Sequence, residues 1–466
     1  MTSPDVQSPL HPVSRVQSAD ESTPSPSILN SPIDIETIHT TGTLAPLPPS
    51  EKPSPLSIEE DSEPPDGGLD AWLTVLGAAL VSFSTFGIVN AFGAFNDFYK
   101  QIWLSNYSAT LVSMIGAIQV FILYIFAGLS GSIFDSIGPR YMIPGSGLIT
   151  SVALLMLSFT KPQQIWQQYL TQAILFNLGA TIGFFPSVAV IAHWFKKKVA
   201  WALGILVAGA SVGGIVFPLL LHRLIPKIGF GWTIRIIALI VFCSFAIATL
   251  TIKSRRPTKP IPPLNKLLDF GAFRDPCYTA LALGCWFSIF SLFNPYFYVG
   301  QYSAVSDEGS NLRSYFLTIM CTSSIIGRVL PGFFADVVGR YNVICITTLL
   351  SSVSILALWY TSSAGPSLAV FSALYGFASG PFFTLMPACV SQISPIEKVG
   401  SRIGMVFAFM SFGALTGTPL GGIFIYHQTA DNFHRLVLFS GIMGLVGSMF
   451  LFISRLLRNR NIFAVV

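Results

Sequence analysis

From Pro65 onward the chain alternates between apolar runs and short polar breaks. Each run is about 20 residues long, the length at which a helix spans the hydrocarbon of a bilayer. The pattern predicts helices over residues 72–95, 109–131, 141–159, 169–192, 200–222 and 233–252, then 277–299, 313–335, 341–361, 366–388, 403–425 and 435–455. Lipid offers no partner to backbone N–H and C=O groups, so each run must close its own hydrogen bonds as a helix. The expected fold class is an all-α membrane protein with twelve transmembrane helices. An even number of crossings returns both ends of the chain to one side.

Composition agrees. Of 466 residues, 52% are hydrophobic and only 10% charged, against about 25% charged in soluble proteins. So few charges cannot cover a soluble surface, which excludes soluble enzymes and, despite the net charge of +5, nucleic-acid binders. The charge is uneven. Residues 1–65 hold two basic and ten acidic side chains (2 − 10 = −8), no Phe, Trp or Tyr, and 13 of the 31 prolines. Such a stretch is expected to be a disordered cytoplasmic tail. It lacks the basic start and apolar run of a signal peptide. Ser8, Ser25, Ser31 and Ser54 each precede a proline and suit a regulatory kinase; a solvated tail without a specific role is the simpler reading.

The six cysteines lie in or beside apolar runs, with no C-x-x-C spacing and no His at ligand spacing. Neither a disulfide framework, a metal site nor a cofactor is expected.

Lys and Arg set the orientation. With the N-terminus inside, 18 basic residues fall on the inside and 7 on the outside, span ends included, with Arg328 left inside a span. Both termini are therefore expected in the cytoplasm, and the plasma membrane is the expected location. The layout is a tail (1–65), an N-terminal six-helix half (66–252), a basic cytoplasmic linker (253–276), a C-terminal half (277–456) and a short tail (457–466). The linker's six basic residues fit either anionic lipid headgroups or ordinary charge bias. Asn106-Tyr107-Ser108 is a glycosylation acceptor in an outside loop.

The two halves repeat one another. Gly131 to Tyr141 and Gly332 to Tyr341 both read G-x-x-x-D-x-x-G followed by Arg and Tyr, with the acids 201 positions apart (336 − 135). Gly209-Ala-Ser-Val-Gly213-Gly matches Gly417-Thr-Pro-Leu-Gly421-Gly at an offset of 208, and Gly179-x-x-x-Gly183 matches Gly376-x-x-x-Gly380 at 197. Three matches in order indicate a duplicated six-helix unit. Glycines four apart make a flat helix face that serves either fixed packing or sliding. Asp135 with Arg140, and Asp336 with Gly339 and Arg340, are candidates for a conformational latch at helix ends.

Arg328 is the candidate substrate residue. It precedes Asp336 by eight residues, about 12 Å along a helix. A charge at that depth costs at least about 2.5–3.5 kcal/mol unless water or a counter-charge meets it. No Asp or Glu lies in the middle of a span. A lone guanidinium facing a cavity is an anion site; the competing reading is a structural Arg held by backbone carbonyls. Asn90, Gln119, Asn177 and Asn294 are polar groups in other spans, placed to line the same cavity or to bond helix to helix. Span 7 adds Phe287, Phe290, Phe293, Tyr296, Phe297 and Tyr298 around Pro295, where a helix break is expected. That aromatic density suits a bulky conjugated solute.

The loop repeat resembles the signature of the major facilitator superfamily of secondary transporters, although Pro139 interrupts the first copy. Asp66-Gly67-Gly68-x-x-Ala71-Trp72, Trp194-Phe195-Lys196-Lys197-Lys198 and Gly327-Arg328-x-x-Pro331-Gly332 resemble its monocarboxylate-porter family, in the fungal branch. The resemblance implies alternating access in two pseudo-symmetric halves, with Arg328 as the anion site. In that family an Asp stands one turn before this Arg and a Lys stands in helix 1. This chain has Ser324 and Val89–Asn90 there, so proton coupling through that pair is not implied.

The leading expectation is a transporter of a small monocarboxylate-like organic anion. Efflux of an acidic secondary metabolite is the alternative, and a membrane sensor with a signalling tail is a third class. An enzyme is not expected, since no paired carboxylates, metal-spaced His or activated nucleophile stands at membrane depth.

Overall fold

The computed structural model describes residues 65–195, 198–255, 269–306, 315–362, 365–395, 398–425 and 429–461. The serine-proline sites of the tail, and the side chains of Asp135 and Asp336, lie outside the described residues. Among the described residues all regular structure is helical. Ten helices among the described residues are long and apolar enough to cross a membrane.

Helix α1 runs Leu69–Trp103, interrupted at Thr85 and Ala91 and ending in the π-turn Tyr99–Trp103. Helix α2 is Ala109–Ile125, continued after Phe126 by Ala127–Ile137. Helix α3 is Pro139–Leu157 and α4 is Ile165–Ile191. The helical stretch Val199–Thr251 has 53 residues and would be about 80 Å long if straight. Yet Gly209 abuts Ala79 and Thr251 abuts Gly77, neighbouring positions on α1. The stretch therefore doubles back, at Gly229 with φ 78° and ψ 167°, a conformation that a Cβ disfavours. It comprises α5 (199–228) and α6 (230–251). The apolar pattern separates these spans by a longer loop because Arg223 and Lys227 interrupt it.

In the second half, the 3-10 turn Phe270–Arg274 leads into α7, Pro276–Ser306. Then follow α8 Phe316–Val338, α9 Arg340–Trp359, α10 Gly365–Gln392, α11 Val399–Phe424 and α12 Ala430–Arg458. Counting α5 and α6 separately and adding α2 to the long helices gives the twelve segments expected.

The break expected at Pro295 is not there: α7 continues through it. Proline lacks the N–H that would pair with the Ser291 carbonyl one turn back. One residue further on, the Leu292 carbonyl accepts from the Tyr375 hydroxyl of α10 at 2.9 Å, a contact that ties α7 to α10.

Glycines fix the packing. Gly209 meets the Ala79 carbonyl, and a Cβ on Gly213 would stand 2.6 Å from the Gly87 Cα, so α5 lies backbone to backbone on α1. In the other half a Cβ on Gly417 would stand 2.8 Å from the Phe290 Cα, and one on Gly421 would stand 2.7 Å from a Leu436 methyl. These two matched sets therefore join helices of the same half, α5 to α1 and α11 to α7 and α12. The repeated loops also match in backbone: Gly138 and Gly339 take φ of 75° and 103° and turn α2 into α3 and α8 into α9.

The two motifs near the N-terminus hold one another. The Asp66 N–H donates to the Trp194 carbonyl at 3.0 Å, and the Lys198 N–H donates to the Asp66 carboxylate at 3.4 Å. The Trp72 ring packs edge-on against Phe195 and Trp201 at 5.2 and 5.1 Å.

Candidate functional site

Both halves send aromatic rings to their shared interface. Phe86 of α1, Tyr124 of α2, and Phe184 and Phe185 of α4 come from the first half; Phe293 of α7, Phe383 of α10 and Phe407 of α11 come from the second. Rings meet across the interface at 5.7 Å (Phe86–Phe383), 5.2 Å (Tyr124–Phe407) and 5.1 Å (Phe185–Phe407). Such edge and tilted pairs are favourable.

Arg328 stands beside this cluster on α8, only 3% exposed. Tyr124, Tyr296 and Cys321 are the titratable side chains close enough to interact with its charge. Gly380 of α10 and Gly204 of α5 admit it: a Cβ on Gly380 would lie 3.3 Å from the Arg328 Cγ, and one on Gly204 3.3 Å from its carbonyl oxygen. Nη1 donates to the Val207 carbonyl on α5 at 2.7 Å, and Nε has no partner. A guanidinium carries five N–H donors in a planar fork, so one neutral carbonyl leaves it far from satisfied. Among the described residues no carboxylate pairs with it; Asp70 and Asp269, which do form ion pairs, serve Lys253, Lys398 and Arg402 near helix ends. The reading of Arg328 as a carbonyl-held structural residue thus accounts for one of its donors and leaves Nε unexplained.

One turn earlier, Ser324 shares a hydrogen bond of 2.8 Å with Ser211 of α5. Tyr296 hydroxyl lies 3.3 Å from Ser379 Oγ on α10. The interface of α5 with α8 is therefore polar where it passes Arg328.

The other candidates separate into two kinds. Asn90 donates to the Ala210 carbonyl at 3.3 Å, and Asn294 donates to Ser440 at 2.7 Å and to Phe290 at 3.0 Å. Both spend their amide N–H groups on helix contacts. Gln119 is 0% exposed with neither amide atom partnered; Asn177, like Asn294, spends its amide N–H groups on carbonyls (Gln172 at 2.9 Å, Ala173 at 3.1 Å) and leaves Oδ1 unpartnered. Tyr169 bonds Leu111 and Thr181 bonds Leu123, each 58 residues apart; that register sets Gln119 level with Asn177 between α2 and α4. The structure sets the two amides at one level of the first half, without a hydrogen bond between them. It records no contact between the pair and Arg328.

The halves also meet on either side of this ring-filled chamber. At the end bearing the chain termini, a Cβ on Gly404 would stand 2.5 Å from the Gly128 Cα. At the other end Gly93 abuts the Tyr296 carbonyl, and Asn96 donates to the Phe297 carbonyl at 3.4 Å. The first closure lies one helical turn from Tyr124 and Phe407; the second begins about two turns from Phe86. Contacts between the halves thus close the ring cluster on both sides.

Of the latch candidates, Arg140 is exposed at the start of α3, and Arg340 and Gly339 stand at the start of α9. Asn106 is exposed in the α1–α2 loop, and Ser108 caps α2 by accepting from the Leu111 N–H.

Six ring residues of the chamber (Phe86, Tyr124, Phe184, Phe185, Phe383 and Phe407) are not singled out by span position. A signal existed: Gly183-Phe184-Phe185 and Gly380-Pro381-Phe382-Phe383 follow the same repeated glycine motif, so duplicated Phe pairs mark the interface.

The family profile described as Major Facilitator Superfamily matches residues 72–330 and 306–462. An MFS transporter of Aspergillus flavus is 35% identical over 415 residues, covering 89% of this chain and 93% of that one. The agnestins efflux protein of Paecilomyces divaricatus is 35% identical over 419 residues, covering 88% and 95%. The fujikurins efflux protein of Gibberella fujikuroi is 33% identical over 401 residues, covering 85% of each. Among solved structures, the nucleoside transporter NupG matches with a TM-score of 0.64 over 82% of this chain and 99% of that one. At 14% identity that likeness is one of fold.

Proposed function

The chain belongs to the Major Facilitator Superfamily and is a multi-pass membrane transporter, and on that premise we propose that it exports an acidic, conjugated metabolite by alternating access. The observation that carries the proposal is Arg328: a buried guanidinium beside interfacial aromatic rings, with Nε unpartnered and Nη1 on a neutral carbonyl. Charge-assisted bonds to a carboxylate, enolate or phenolate are shorter and roughly twice as strong as neutral ones. An incoming anion therefore competes well for the fork. Taking Nη1 from Val207 removes a hydrogen bond that joins α8 to α5 across the halves, so binding and loosening of that interface are one event.

The rings set the solute class. A two- or three-carbon acid would reach the cation but touch few of the rings, whereas a conjugated acid exchanges ring–ring contacts for ring–solute contacts. Relatives named as efflux proteins for agnestins and fujikurins support export. The efflux alternative is thus better supported than the small-monocarboxylate reading, and monocarboxylate-porter membership stays part of the proposal on its motifs. Ser324, hydrogen-bonded to Ser211, does not offer the titrating acid that proton coupling beside Arg328 would use. In this reading both termini are cytoplasmic and the membrane is the plasma membrane.

The test is metabolite profiling by mass spectrometry of cells and medium, with and without the gene. Export predicts an acidic aromatic compound that moves from medium to cells when the gene is removed. A neutral or purely aliphatic solute, or accumulation in the medium on removal, contradicts it.

A further inference from the structure

A second polar compartment lies behind the chamber, inside the C-terminal half. Ser288, Ser291, Thr348, Ser352, Tyr375 and Ser379 line a cavity where α7, α9, α10 and α12 converge, with Gly444 of α12 forming part of its wall. Two of its hydroxyls, Ser288 Oγ and Thr348 Oγ1, are buried without a partner, in residues only 3% and 6% exposed. Buried hydroxyls in a membrane protein find partners, because lipid supplies none. Helix α12 makes the room: a Cβ on Gly444 would lie 2.9 Å from Ser291 Oγ, and Gly447 adjoins Ser288 Oγ.

The size of the cavity decides what it takes. Its volume is about 10 Å³, close to the ~10–15 Å³ that one water requires and too small for an arm of a solute. Its charge decides the rest. No lining side chain is acidic or basic, and hydroxyls without a carboxylate give a cation no compensating charge, while Arg328 nearby repels one. Neutral hydroxyls on converging helices suit a molecule that both donates and accepts.

We propose that this cavity binds one ordered water, held by Ser288 Oγ and Thr348 Oγ1, as a hydrogen-bonded joint between α7 and α9. Ser379 closes the cavity toward the chamber, where its Oγ meets the Tyr296 hydroxyl at 3.3 Å. The water therefore stands behind the anion site without belonging to it, and its loss leaves solute binding in place.

The experiment uses the full-length purified protein and two readouts. X-ray hydroxyl-radical footprinting activates bound water, so Tyr375 and Phe382, both buried, oxidise at least tenfold faster than buried Phe92 and Phe176 remote from the cavity. Thr348→Val is isosteric and removes one hydroxyl. With a water to anchor, the variant melts several degrees lower and the Tyr375 signal falls severalfold, while solute flux is unchanged. An orphan hydroxyl gives the opposite sign, since replacing it by a methyl is neutral or stabilising. Control-level oxidation of Tyr375 and Phe382, or an equal or higher melting temperature in the valine variant, overturns the water site. Ser288→Ala provides a second variant under the same criteria. Both outcomes are independent of the exported solute, so the water site and the transport proposal fail separately.

Discussion

Arg328 on α8 reaches across the pseudo-symmetry boundary to the Val207 carbonyl on α5, at 2.7 Å. One hydrogen bond thus joins the residue expected to recognise solute to the helix pair that must move for solute to pass. Anion binding and conformational change are coupled only if a ligand interacts differently with the two states. A guanidinium shared between a carbonyl and a solute meets that requirement, because the carbonyl contact belongs to the closed interface.

The close approach of Gly404 to Gly128 gives the first prediction. Gly404→Leu places a side chain where even a Cβ would stand 2.5 Å from the Gly128 Cα, a distance that forces backbone displacement. The variant should reach the membrane but lose at least about tenfold in flux, the equivalent of 1.4 kcal/mol. Labelling of cysteines introduced at the terminus-bearing end should rise, because that end no longer closes. Normal flux with unchanged labelling would remove Gly404 from the gate.

The chamber rings give the second. Phe383 meets Phe86, Tyr124 and Phe293 at 5.7, 6.3 and 6.2 Å. Each pair is worth about 0.5–1.5 kcal/mol beyond area burial. Phe383→Ala should lower the thermal midpoint and weaken apparent affinity for an aromatic solute by about tenfold or more, while Phe383→Leu recovers stability better than affinity. Equal affinity in all three proteins, read from concentration-dependent flux, would mean that the solute does not touch this ring.

A third prediction concerns pH at the end of the inter-half linker. Asp269 accepts from Arg402 Nε at 3.1 Å and from Lys398 Nζ at 3.3 Å. Burial raises its carboxyl, but the hydrogen bonds and charges of Arg402 and Lys398 outweigh that and hold it below its ordinary 3.8. A carboxyl lowered on folding stabilises above its unfolded value and loses that contribution as pH falls through the folded one. Asp269→Asn should therefore melt below wild type at neutral pH, with the gap closing in acid below about 3.8. A gap that persists unchanged in acid would show that the charge is not what stabilises this corner.

What the sequence carried, and what it did not, follows from where each signal is written. Span positions, the duplication and the buried charge of Arg328 are properties of single positions or of period, so they were readable. The partner of Arg328 is a backbone carbonyl, which every residue possesses; no sequence marks Val207. The chamber rings were hidden for a different reason. Phe faces lipid as readily as it faces a chamber, and only the third dimension brings Phe86, Tyr124 and Phe407 together. Asn90 and Asn294 show the converse: polar residues in spans invite a ligand reading, and here their N–H groups bond helix to helix. Pro295 predicted a break, but α7 continues through it.

The central claim is that Arg328 reads the solute's charge, and the most direct measurement compares an acid with its methyl ester. Flux of the exported acid and of the ester should be measured in liposomes carrying wild type, Arg328→Ala or Arg328→Lys at matched protein levels. Wild type should strongly prefer the acid. Arg328→Ala should lose that preference and Arg328→Lys should retain only part of it, because a point charge lacks the planar fork. Arg328→Ala that still favours the acid as wild type does would contradict the account.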